Sequence, residues 1–147
     1  MPVVPINYFA ILVCGVASVV LGFIWFGPLF GKTWMRLAGM PDDAMERAKA
    51  DPAMKRKMYT GYFIAFVAAL IGAVVLDHNL VFGSAYLHMS GLSAGFQAGF
   101  WNWLGFTVPP TLGMVLWEGK SWKLWTIINA YWLLLFLIMG AILALWM

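Results

Sequence analysis

From Ile6 to Phe26 the chain runs twenty-one residues without a charged side chain, then meets Gly27-Pro28 and its first cation, Lys32. A helix of that length measures about 31 Å and matches a bilayer hydrocarbon core of about 30 Å. The run therefore reads as a membrane span. The stretch Trp25-Phe26-Gly27-Pro28-Leu29-Phe30-Gly31-Lys32-Thr33-Trp34-Met35 reads as its exit: amphipathic aromatics suit the interface, and Pro28 removes a helix donor and restrains the residue before it. Residues 1–5 hold no Lys or Arg, so the run is expected to be a retained span rather than a secretory leader. Only 10% of the residues are charged, where soluble domains carry roughly a quarter, so the whole chain belongs with membrane proteins. The lone Cys14 lies inside the first run and allows no internal disulfide.

Three more apolar stretches, 58–76, 91–117 and 124–146, give an all-α polytopic reading: four transmembrane helices in a compact bundle, a single transmembrane domain over 1–147. The segment 29–57 is the hydrophilic one, with Lys32, Arg36, Arg47, Lys49, Lys55, Arg56 and Lys57 against Asp42, Asp43, Glu46 and Asp51. Pro41-Asp42-Asp43 predicts the start of a short helix, and Asp51-Pro52 predicts an N-cap followed by proline in the first turn. The second span is expected to stop at Asp77-His78-Asn79, leaving Leu80 to Met89 as a connection that contains His88. All nine Lys and Arg fall in the first and third connections. The positive-inside rule then places those connections in the cytoplasm and both termini outside, on the periplasmic side of a bacterial inner membrane.

Small residues recur at helix-contact spacing. Ala65 and Ala69, with Gly72 beside them, mark one face; Gly91, Gly95 and Gly99 form a GxxxGxxxG ridge, and Gly140 and Ala144 repeat the spacing. Such ridges let helices approach closely, within the chain or between chains. Pro109-Pro110 interrupts the third span, and Thr107 and Thr111 are placed to satisfy carbonyls that the prolines leave free. The polar residues inside the spans are few. Gln97, Asn102, Thr107, Pro109, Pro110 and Asn129 mark a candidate polar pathway, and interhelical hydrogen bonding accounts for the same residues as glue.

Chemical motifs are sparse. Asp77, His78 and His88 are the only candidates for a metal site, without a motif behind them, and capping or loop roles suit them better. No Ser or Cys sits in a nucleophile elbow, no cofactor-binding motif is present, and no catalytic role is expected. Ionisable residues are read only at span ends, at Asp77 and Glu118, which disfavours proton-coupled transport. The basic cluster Lys55-Arg56-Lys57 lies where a helix enters the membrane, so its expected partner is anionic lipid, not nucleic acid.

The opening Asn7-Tyr8, then Leu21-Gly22 leading into Trp25-Phe26-Gly27-Pro28-Leu29-Phe30-Gly31-Lys32-Thr33-Trp34-Met35, resembles the domain-of-unknown-function family 1761, small membrane proteins best represented in bacteria. The likeness continues through Gly95 to Gly105, with Trp103-Leu104-Gly105-Phe106, the Trp117-Glu118 turn and Asn129-Ala130-Tyr131. The resemblance implies a four-helix membrane architecture and carries no activity to transfer.

Two functions fit. The small-residue faces and absent catalytic constellations favour a noncatalytic scaffold or accessory subunit of a larger membrane complex. The alternative is a small homo-oligomeric transporter or channel for a neutral or small solute, with Gln97, Asn102, the double proline and Asn129 along its path.

Overall fold

The computed structural model describes residues 5–41 and 43–146. Helix α1 (Tyr8–Ile24) is capped by Asn7, whose Oδ1 accepts from the Phe9 and Ala10 amides at 3.1 and 3.2 Å. Pro28 offers no N–H to the carbonyl one turn back, so residues Trp25–Leu29 widen into a π turn. The Phe30 amide then bonds to the Trp25 carbonyl at 2.9 Å, five residues back. Helix α2 (Gly31–Leu37) follows at once, and α3 (Ala44–Ala50) occupies the charged segment. Of the acids expected to start α3, Asp43 is its N-cap residue and ion-pairs with Arg47, while Asp42 lies outside the described residues.

Asp51 and Pro52 start helix α4 (Pro52–Leu87), with Asp51 Oδ1 accepting the Ala53 amide at 2.8 Å. At 36 residues the helix measures about 54 Å. It passes through Asp77-His78-Asn79 unbroken, so the polar triplet is not a helix end and Leu80 to Leu87 is not a loop. None of the three breaks a helix, and each polar group finds a place: Asp77 is buried, His78 Nδ1–H donates to the Val74 carbonyl at 2.8 Å, and Asn79 bonds across to α5 (Gly91–Asn102). The helix stops only at His88, in the left-handed region at φ 53°.

The stretch expected as one span over 91–117 is broken into pieces. Helix α5 ends at Asn102, a second π turn covers Trp103–Thr107, and α6 (Val108–Thr111) and α7 (Gly113–Leu116) complete it. Pro109 and Pro110 remove two consecutive donors, and the Val108 amide reaches back five residues to the Trp103 carbonyl. After the polar turn, Ser121 caps α8 (Trp122–Leu145) by accepting the Leu124 amide at 3.2 Å.

Three helical segments, Tyr8–Leu29, Pro52–Leu87 and Trp122–Leu145, are long and apolar enough to cross a membrane, and no strand occurs among the described residues. The chain is an all-helical membrane protein. Its core joins Ala10, Ile11 and Cys14 of α1, Ala73, Leu76 and Leu80 of α4, Ala94 of α5, and Leu135, Met139 and Leu143 of α8.

The glycine ridge is spent inside the chain. A Cβ on Gly95 would overlap the Gly140 carbonyl, and one on Gly99 would overlap that of Phe136, so α5 and α8 run antiparallel in backbone contact. Gly91 is not part of this contact: it starts α5 at φ 62°, and nothing lies within 4 Å of where its Cβ would be. Of the Ala65, Ala69 and Gly72 face on α4, Ala69 packs against the core, while Ala65 and Gly72 lie outside the contact with α1. Ala65 is exposed, and Gly72 has no neighbour within 4 Å of its Cβ position. The small partner at that contact is Gly15 of α1, which admits Phe66 and Leu70 to within 2.7 and 2.6 Å of its Cβ position.

Candidate functional site

The interior polar residues separate into two groups. In the first, Asn79 Nδ2 donates to Asn102 Oδ1 at 2.7 Å, joining α4 to α5, and Asn102 Nδ2 donates to the Ala98 carbonyl one turn back at 2.8 Å. This pair borders a half-open cleft of about 240 Å³ between the two helices. Ser84 and Gln97 add neutral polar groups to its lining, and Leu80, Leu87, Ala94 and Trp101 add apolar ones. The Ser84 hydroxyl oxygen is buried with no hydrogen-bond partner. A hydroxyl buried without a partner costs free energy unless water or a ligand supplies the bond. Asn102 is also the last residue of α5 before the π turn, so the cleft adjoins the point where the helix changes its winding.

The second group is internally satisfied. Thr111 Oγ1–H donates to the Thr107 carbonyl at 2.7 Å and accepts from Asn129 Nδ2 at 3.0 Å and from Trp125 Nε1 at 3.2 Å. The other Asn129 amide hydrogen goes to the Trp125 carbonyl at 3.1 Å. Thr111 thus serves Thr107 rather than the carbonyls of Gly105 and Phe106 that the prolines leave free. Of the residues expected along one pathway, Gln97 and Asn102 reach the cleft, Asn129, Thr107 and Thr111 belong to this network, and Pro109 and Pro110 are exposed.

The membrane-exit motif has a counterpart that the sequence reading passed over. Trp25 Nε1–H donates to the Ile127 carbonyl at 3.1 Å, and Trp103 Nε1–H donates to the Asn129 carbonyl at 3.0 Å. Each indole opens a π turn with glycine two residues later, Gly27 or Gly105, and each ties its turn to the first half of α8. The shared Trp-x-Gly was the available signal. Phe26 packs edge-to-face against Trp34 and at a tilt against Tyr131, with ring centres 5.4 and 4.9 Å apart, and Gly31 is buried where a Cβ would meet the Phe26 carbonyl. Lys32 is exposed beyond it.

Asp77 is 5% exposed, with one carboxyl oxygen buried and unpartnered. It lies inside α4, ten residues before Leu87, so it does not mark the end of the helix. His78 is half-buried and His88 is exposed at the helix cap. Among the described residues, no group of three or more His, Cys, Asp and Glu side chains is placed to hold a metal ion. Lys55, Arg56 and Lys57 are exposed, and Arg56 and Lys57 border a shallow groove on α4 with Thr60 and Gly61.

Three membrane-length apolar helices around a buried seam of small residues define a helical integral membrane protein. The chain belongs to the family described as protein of unknown function DUF1761, whose model matches residues 9–144. No curated protein and no solved structure matches it.

Proposed function

We propose that the protein crosses the membrane four times and binds a small neutral solute in the cleft between α4 and α5, as a carrier of the transporter class. The Asn79–Asn102 pair beside the unpartnered Ser84 hydroxyl carries this reading. The polar side chains lining the cleft, those of Asn79, Ser84, Gln97, Trp101 and Asn102, are all uncharged, which suits a neutral, hydrogen-bonding ligand. Its volume of about 240 Å³ lies below the roughly 300–1,000 Å³ of drug-sized pockets, which suits a small one. Interrupted helices near polar groups are how transporters expose backbone at a binding site, and the π turn after Asn102 supplies such an interruption.

The fourth crossing is α5 to α7. Helix α5 lies antiparallel to α8 in backbone contact at Gly95 and Gly140, and a helix held that closely shares the depth of its partner. The Lys and Arg side chains then gather on the cytoplasmic side of an inner membrane, with both termini outside and anionic lipid heads at Lys55, Arg56 and Lys57.

A panel of small neutral amides, polyols and alcohols, added to the protein in lipid nanodiscs and read by thermal unfolding, tests the site. Some members of the panel are expected to raise the Tm of the wild type and to leave Asn102→Leu unchanged. A wild type that responds to none, or a variant that responds equally, refutes the cleft as the site.

A second reading, an accessory subunit in a larger complex or a homo-oligomer, is favoured by one observation. Between residues 59 and 71, α4 leaves Tyr59, Tyr62, Phe63, Ile64 and Ile71 exposed among the described residues. The Gly95 ridge lends this reading no support, because α8 occupies it.

A further inference from the structure

Asp77 holds the only buried carboxyl group among the described residues, and neither site above uses it. Its own helix turns it inward beside Ala73, Leu76 and Leu80, all 1% exposed or less. Oδ2 has no hydrogen-bond donor. Among the titratable groups around it, His78 alone can carry a positive charge. From α1 it is Cys14 that lies within electrostatic reach, and the Cys14 thiol donates to the Met139 carbonyl at 3.8 Å. On α4 itself it is His78, whose Nδ1–H is committed to Val74. Helix α5 has no titratable residue. Helix α8 has Lys123 and Tyr131, yet its core-facing Leu135, Met139 and Leu143 are apolar. The charges of α3 pack near the start of α4, Asp77 being 25 residues from Pro52. An ionised carboxylate without a partner is strongly disfavoured in such surroundings, whereas a carboxylic acid is tolerated.

We propose that Asp77 is a proton-binding site, which the closed bundle holds as a neutral acid. The site is independent of solute binding at the cleft.

Infrared spectroscopy of protein labelled with carbon-13 at the aspartate carboxyls, reconstituted in phosphatidylcholine vesicles, tests this directly. The chain has four aspartates, and the other three, Asp42, Asp43 and Asp51, belong to its charged segment. At neutral pH one quarter of the label is expected in the carbonyl band of a protonated acid, and that band disappears in D77N. Labelled wild type with ionised carboxylates alone overturns the proposal, without need of a variant. Persistence of the protonated band in folded D77N overturns it as well. The band is expected unchanged in N102L, so failure of the cleft reading and failure of this one are told apart.

Discussion

Gly95→Ala tests the contact that brings α5 against α8. The added methyl would overlap the Gly140 carbonyl group and come within 2.9 Å of Ala144 Cβ, where carbon atoms at rest sit about 3.5–4.0 Å apart. The obstacle is backbone, which cannot rotate aside as a side chain can, so the helices must separate. Overpacking of this kind costs about 1–3 kcal/mol. Exchanging Gly for Ala inside a helix favours folding by about 1 kcal/mol, which offsets part of that cost. Gly72→Ala receives the same helix benefit with nothing within 4 Å of the new methyl. The two substitutions are therefore expected to act with opposite sign and to differ by about 1–3 kcal/mol, the size of the clash. Reversible unfolding in mixed lipid–detergent micelles, followed by helical circular dichroism, measures the difference. Gly95→Ala as stable as Gly72→Ala, or more so, refutes the backbone contact.

Asn129→Leu removes the donor to Thr111 and to the Trp125 carbonyl, and is expected to destabilise by about 0.6–2 kcal/mol in the same assay. Trp103→Phe and Trp25→Phe each delete one indole bond to α8, with an expected loss of about 0.6–2 kcal/mol apiece; a double variant reads whether the two π turns act independently. Asp77→Asn keeps a neutral group of the same shape and is expected to shift stability by less than about 1 kcal/mol, whereas Asp77→Leu overfills the site and costs about 1–3 kcal/mol.

The first helix and its exit were legible because an uncharged run closed by aromatics, Gly-Pro and a cation has one economical reading in a bilayer. The Asp51-Pro52 start was legible for a local reason, since cap chemistry is written in adjacent residues. Asp77-His78-Asn79 resembles a helix end because three polar residues follow an apolar run, yet α4 continues to Leu87, and burial of one carboxyl by neighbouring helices leaves no local trace. Glycine spacing announced a close contact at Gly95 and Gly99 but not its partner, which lies on α8 more than 35 residues away in sequence. On α4 Ala69 packs against the core, but Ala65 and Gly72 do not join the contact with α1, whose closest approach is made at Gly15. The cleft was half legible. Gln97 and Asn102 stand out in an apolar helix, while Asn79 reads as part of a span end and Ser84 lies in a stretch read as a connection, and the pairing of Asn79 with Asn102 depends on how α4 crosses α5.

Gentle extraction from the native membrane, followed by native mass spectrometry of wild type and Asn102→Leu side by side, tests the solute site most directly. A small neutral molecule bound to the wild-type chain and absent from the variant is the expected result. Wild-type protein that carries no such molecule, or a variant that retains it at the same occupancy, contradicts the assignment of the cleft.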